Sequence, residues 1–290
     1  MPGPVLPSPL VSAQWLADHL GADDLIVVDA SVVSFTQPSG KAGSLSGHEQ
    51  YIAEGHIPGA VFGDLIDDFS DPNGAFPFTR PDASRFAAAA GALGIGADTT
   101  VVVYDTAVGQ WAARLWWLLR AFGHDNAAVL DGGLMAWADD DRPVDRGHVE
   151  PVATTFTAVE RTDAWVDKAE VERVVRGEVD AALVCAVPPK EFTGETPTRA
   201  RAGHIPGSSS VPAARLVERE TRTALPEEQL RELLSPVLGA PRIIAYCNGG
   251  IAATAAALQL IRLGEKSVAI YDGSLNEWAA DVEAPLATTV

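Results

Sequence analysis

Of the two cysteines in the chain, Cys185 and Cys247, one stands where a nucleophile is useful. Cys247 closes the apolar run Ile243-Ile244-Ala245-Tyr246 and is followed by Asn248-Gly249-Gly250-Ile251 and a long apolar segment. That order predicts a strand, a tight loop and a helix. Adjacent glycines let the backbone curl until successive N–H groups converge on one atom. A helix starting near Ala252 adds its positive end to the same point. A thiolate held there needs no basic side chain to stabilise it. The competing reading is a small cysteine packed in a core. It accounts for Cys185, at the end of Ala182-Leu183-Val184, but not for an Asn-Gly-Gly junction at a strand end, where α/β sheets bind ligands.

A cysteine cradled by N–H groups suits phosphate-ester hydrolysis or sulfur transfer. The first needs an arginine six residues on, to grip phosphate with two parallel bonds. Here that position is Ala253 and the next arginine is Arg262, far along the helix, so hydrolysis is disfavoured. A persulfide carries one charge and needs a smaller cradle, which residues 248–252 can form from backbone alone. The six histidines show no close spacing suited to a metal.

The elements that must position this loop occur twice. Gly55-His56-Ile57-Pro58-Gly59-Ala60 recurs as Gly203-His204-Ile205-Pro206-Gly207-Ser208, and Val101 to Trp137 aligns with Ile243 to Trp278. The period is a whole domain of roughly 140 to 150 residues, so the pattern is a duplication and not a solenoid. Short β-branched runs alternate with segments of helical period, as in a parallel sheet flanked by helices. Strands are expected near 25–28, 61–62, 100–104 and 127–130, then 182–185, 209–211, 243–246 and 267–271. Helices are expected near 12–20, 81–93 and 110–122, stopped by Gly21, Gly94 and Gly123, then 163–175, 226–235 and 252–263. The fold class is α/β, with a first domain over 1–141, a linker over 142–156 and a second domain over 157–290. Where the second half has Cys247 the first has Asp105. Because both halves keep a histidine and only one keeps the cysteine, His56 and His204 read as packing residues at a turn.

The chain has 290 residues and a formal charge of −18, a field that repels polyphosphate and so excludes nucleic acid and anionic membrane as partners. Two cysteines are too few for a disulfide framework, which points to a reducing, cytoplasmic setting. The first ten residues hold four prolines and no Lys or Arg, unlike a signal peptide, and no apolar run is long enough to span a bilayer.

Taken in order and spacing, the two Gly-His-Ile-Pro-Gly segments, the Asp131-Gly132-Gly133 and Asp272-Gly273-Ser274 turns each followed by Trp, the segment Glu191-Phe192-Thr193-Gly194-Glu195 and the Cys247 loop resemble the tandem-domain rhodanese family of thiosulfate and 3-mercaptopyruvate sulfurtransferases. The resemblance implies two rhodanese-like domains, the first catalytically inactive with Asp105 at the cysteine position. It implies a ping-pong reaction in which Cys247 takes a sulfane sulfur from a small anionic donor and passes it to cyanide, a thiol or a thioredoxin-like protein, with no cofactor or metal. Asn248, Gly249, Gly250, Ile251 and Ala252 would bind the persulfide and substrate. Many relatives read Asp-Ala-Arg where this chain has Cys185-Ala186-Val187, so a donor-binding arginine is missing at Val187. Arg199 and Arg201 are the nearest cations to replace it, ordinary solvated loop charges being the competing reading. The alternative to an enzyme is a degenerate member acting as a sulfur carrier or protein-binding module.

Overall fold

The computed structural model describes residues 3–37, 42–196 and 199–289. The first half of the sequence forms β1 (Leu10–Val11), α1 (Ala13–His19), β2 (Leu25–Asp29), β3 (Val32–Thr36), β4 (Ala42–Ser46), α2 (His48–Ala53), β5 (Val61–Phe62), α3 (Ala83–Ala92), β6 (Thr100–Tyr104), α4 (Gln110–Ala121), β7 (Ala127–Leu130) and α5 (Gly133–Asp139). The second forms β8 (Trp165–Val166), α6 (Lys168–Val175), β9 (Ala182–Cys185), α7 (Pro189–Thr193), β10 (Ser208–Ser210), α8 (Glu227–Leu234), β11 (Ile243–Tyr246), α9 (Ile251–Arg262), β12 (Val268–Tyr271) and α10 (Ser274–Trp278). These pack into two compact units. Unit 1 comprises 1–73, 80–161 and 219–224; unit 2 comprises 74–79, 162–218 and 225–290.

In unit 1 a parallel sheet runs in the order β1-β7-β6-β2-β5. Its central strand, Thr-Val-Val-Val-Tyr over β6, is wholly buried, as a parallel strand covered on both faces must be. The α4 helix is nearly as apolar all round, with Leu115, Leu118 and Leu119 fully buried. Ser12 and Asp82 cap α1 and α3 by accepting the amides of Trp15 and Arg85 at 3.1 and 2.8 Å. Gly21, Gly94 and Gly123 end helices with positive φ, the stop role their positions suggest. The polar stretch after α5 lies along this unit: Asp145 exchanges backbone bonds with His56, and the Thr154 amide reaches the Gly91 carbonyl.

In unit 2 the order is β10-β9-β11-β12-β8, the same topology read from the other edge. The two tryptophans that end the repeated blocks do equivalent work. Trp137 donates its indole N–H to the Pro143 carbonyl at 2.7 Å, and Trp278 to that of Pro285 at 2.8 Å. The duplication is therefore built twice in three dimensions.

Three elements depart from the sequence expectation. The two-residue strands β1 and β8 exist because they pair with β7 and β12, each more than a hundred residues away in the chain. The helix expected from Asp163 starts at Lys168, after β8, where Asp167 caps it through the Glu170 amide at 2.8 Å. Among the described residues the antiparallel hairpin β3–β4 occurs in unit 1 alone, and the sequence expectation did not include it.

Candidate active site

Cys247 follows the last residue of β11 and is 3% exposed. Its loop is clamped by the turn after β12. Ser274 accepts the amides of Cys247 and Gly250 at 3.1 and 3.2 Å and donates to the Tyr271 carbonyl at 2.7 Å. The Leu275 and Asn276 amides bond the carbonyls of Cys247 and Asn248 at 3.1 and 3.0 Å. To do this Ser274, fully buried, holds a φ of 49°, a left-handed conformation that costs a non-glycine residue free energy. Gly250, with φ 76°, turns the chain into α9, whose twelve residues aim their N-terminus at the loop.

The first half shows what such a loop does with an anion. Asp105 Oδ1 accepts the amides of Ala107 and Gly109 at 2.8 and 3.0 Å, and Oδ2 accepts those of Trp111 and Ala112 at 2.9 and 3.0 Å. Its cradle is thus filled from within. The loops differ by one residue: the left-handed glycine before the helix is fourth after Asp105 but third after Cys247. Counting from those glycines, the amides matching Trp111 and Ala112 are those of Ala252 and Ala253, and the second loop has no carboxylate of its own to fill them.

Gly249 is hemmed in. A Cβ there would lie 3.0 Å from Asn276 Nδ2 and 3.5 Å from the Pro77 carbonyl, an atom of the segment 74–79 that packs with unit 2. A long side chain at this position has to displace Asn276.

The two candidate arginines part company. Arg199 Nη2 donates to Asn248 Oδ1, immediately beside the cysteine, and lies 3.6 Å from Glu191 Oε2; Asn248 Nδ2 donates to the same Glu191 oxygen at 3.2 Å. Burial pulls the Arg199 guanidinium below its usual range, opposed by the negative charge of Glu191 and of the cysteines. Arg201 instead donates to the carbonyls of Asp281 and Ala284, the latter at 2.6 Å, and ties the chain beyond α10. Val187, where the resemblance leads one to expect a cation, is buried at 1% exposure.

Cys185, also buried, is a poor nucleophile: burial pushes its thiol up to about 12. His56 reaches the carbonyls of Ile57 and Gly147 at 3.0 and 3.2 Å, and His204 bonds the Phe192 carbonyl at 2.8 Å while stacking on its ring at 3.6 Å. Both hold turns, as their recurrence in the two halves suggests. Among the described residues no three His, Cys, Asp or Glu side chains are placed to share a metal ion.

A model of the rhodanese-like domain matches residues 12–140 and again residues 173–281. The chain belongs to the rhodanese family. The 3-mercaptopyruvate sulfurtransferase of Escherichia coli strain K12 is 33% identical to it over 282 residues, 95% of this chain and 96% of that protein. The human 3-mercaptopyruvate sulfurtransferase is 36% identical over 290 residues, 96% of this chain and 94% of that one. The crystal structure of SseA from Escherichia coli, a 3-mercaptopyruvate sulfotransferase, superposes with a TM-score of 0.81 at 31% identity, over 92% of this chain and 98% of that one. The two tandem rhodanese domains expected from the repeat are present, and the protein is a sulfurtransferase of the rhodanese type. No helix among the described residues is long and apolar enough to cross a membrane.

Sequence reasoning missed Ser274 and Glu191 as site residues. Ser274 carried a signal, since the first half has Gly133 at the same left-handed turn, with φ 59°, and a serine there needs a reason. Glu191 belongs to a segment that carries the family resemblance, but nothing in that segment points to Asn248, 57 residues away.

Proposed function

We propose that this rhodanese carries sulfur on Cys247, with 3-mercaptopyruvate preferred to thiosulfate as donor and Arg199 as the cation that meets the donor's carboxylate. The observation that carries this reading is the contact of Arg199 with Asn248, which sets one guanidinium beside the nucleophile where Val187 supplies no charge. The relatives named for 3-mercaptopyruvate support it. So does Gly249 itself, which places no cationic side chain beside Cys247 to bind a second negative charge.

The thiolate of Cys247 attacks the donor sulfur. The carbon–sulfur bond breaks, its electron pair leaves as the enolate of pyruvate, which takes up a proton, and the cysteine becomes a persulfide. The amides of Ala252 and Ala253, which match those that hold Asp105 Oδ2, and the α9 N-terminus bind the charge on the outer sulfur. A cyanide ion or thiolate then attacks that sulfur and regenerates the Cys247 thiolate; thiols and thioredoxin-like proteins are the cellular acceptors on this reading. The first domain is silent because Asp105 already occupies its cradle. The enzyme works in the reducing cytoplasm, where its two free cysteines stay reduced.

The test compares kcat/KM for the two donors in the native enzyme and in Arg199→Ala and Arg201→Ala, with persulfide formation followed by mass. The expected result is a preference for 3-mercaptopyruvate that falls by about tenfold or more in Arg199→Ala only, or ~1.4 kcal/mol in the barrier. Thiosulfate preferred, with neither arginine mattering, overturns the donor assignment. A persulfide that forms but is never turned over marks a carrier.

A further inference from the structure

Glu191 has no part in the sulfur-transfer chemistry, yet it lies against the cation assigned to the donor. Its Oε2 is 3.6 Å from Arg199 Nη2 and accepts Asn248 Nδ2 at 3.2 Å, so one residue of the nucleophile's loop grips both members of the ion pair. The side chains are 14% and 15% exposed, which leaves their charges little screened by salt. Glu191 sits on α7, one short turn that starts after Pro188 and ends at Gly194 with φ 89°. A carboxylate placed in this way is an internal anion already bound to the guanidinium that an incoming anionic donor needs.

We propose that Glu191 is a specificity-determining residue of this rhodanese, a charge selector that offsets Arg199 and so admits monoanionic sulfur donors while rejecting dianionic ones. The proposal rests on the reading of Arg199 as the donor's cation. With Glu191 in place the pair is neutral overall, and an approaching donor meets the thiolate with no net side-chain cation to offset it. The thiolate's repulsion is proportional to the donor's charge, so once Glu191 cancels Arg199 a dianion suffers that repulsion twice over with nothing to offset it. The backbone amides that remain favour an anion of either kind. Specificity then comes from a repulsive element and not from an added contact. Asn248 prevents the pair from opening freely, because its amide satisfies both partners together.

The experiment measures kcat/KM for thiosulfate and for 3-mercaptopyruvate in the native enzyme, Glu191→Gln, Arg199→Gln and the double variant, with persulfide on Cys247 read by mass in each. Glutamine keeps an acceptor for Asn248 and Arg199 and removes only the charge. Glu191→Gln is expected to raise thiosulfate use about tenfold relative to 3-mercaptopyruvate, and the double variant to lose that gain. A ratio unchanged in Glu191→Gln, with Arg199→Gln impaired, overturns the selector and leaves the donor cation standing. No effect of Arg199→Gln on either donor overturns the cation reading and the selector with it. A purely structural ion pair would lower both donors by the same factor, which also overturns the proposal. Glu191→Ala reports the same ratio should the glutamine variant fold poorly, and Glu191→Asp, which keeps the charge, is expected to hold the native ratio.

Discussion

At Cys247 and Cys185, two side chains of one kind are separated by their surroundings. Cys247 has a glycine loop and the start of α9; Cys185 has an apolar strand, burial and a thiol pushed up to about 12. Cys247→Ser should abolish sulfur transfer, and Cys185→Ser should keep most of it, as steady-state turnover will show. Equal losses would contradict the assignment. A second residue-scale prediction concerns Asp29, at the end of β2, the place that Cys185 holds in β9. One of its oxygens accepts the Ser31 amide at 2.9 Å and the other has no hydrogen-bond partner. Burial raises this carboxyl from 3.8 to about 6. The folded state thus binds the proton more tightly than the unfolded chain. The stabilisation is complete below about pH 4 and is lost as pH rises towards 6, an effect on the order of 3 kcal/mol. Denaturant melts at pH 4 and pH 7 should show this difference shrinking in Asp29→Asn relative to the native protein. An identical pH response in the two would rule it out.

On the scale of elements, the strand-loop-helix unit is used twice for different ends. Asp105 fills its cradle with four amide bonds and thereby fixes the turn from β6 into α4, while the loop between β11 and α9 has no carboxylate of its own at the equivalent amides. Asp105→Ala should therefore cost stability and not chemistry. Loss of a carboxylate that satisfies a helix start is expected to lower the unfolding free energy by about 2 to 4 kcal/mol. Turnover should stay within about tenfold of native under conditions where the variant is folded. Unchanged stability in a denaturant titration would mean that the four bonds contribute nothing net. Ser274 and Gly133 show the same division at the turn facing each loop. A Cβ on Gly133 would lie 2.2 Å from the Asp105 carbonyl, whereas Ser274 takes the strained conformation and uses its hydroxyl to hold Cys247 and Gly250.

For the whole molecule, neither compact unit is a continuous stretch of chain. Residues 74–79, from the first half, pack with unit 2; residues 219–224, from the second, pack with unit 1. Within unit 1, Arg222 donates to the carbonyls of Thr106 and Ala107 at 2.9 and 3.1 Å, and the Ala224 amide reaches Asp131 at 2.7 Å. Within unit 2, Pro77 lies beside Gly249, and Phe78 holds a φ of 62°, strained for an aromatic residue and partnered within the fold. A cut near Arg146 leaves each piece without a segment that it uses. A fragment of residues 152–290 should accordingly show kcat/KM reduced by about tenfold or more, even where circular dichroism finds it folded. Full activity in that fragment would show that 74–79 is dispensable.

The sequence by itself determined what depends on neighbours in the chain. The β-branched runs of β6 and β11, the stop glycines, the two Gly-His-Ile-Pro-Gly turns and the Cys247-Asn248-Gly249-Gly250 loop are local signals, and each is found where its pattern points. Duplication made them legible twice, and the difference between Asp105 and Cys247 then marked the half proposed to react. Only the tertiary structure separated Arg199 from Arg201, two residues apart on one loop, because a long flexible cation goes where distant acceptors lie: Asn248 and Glu191 for one, the carbonyls of Asp281 and Ala284 for the other. The two-residue strands β1 and β8 and the exchange of 74–79 and 219–224 were hidden for the same reason. Their stability comes from pairing and packing across long stretches of chain, and no window of sequence contains both partners.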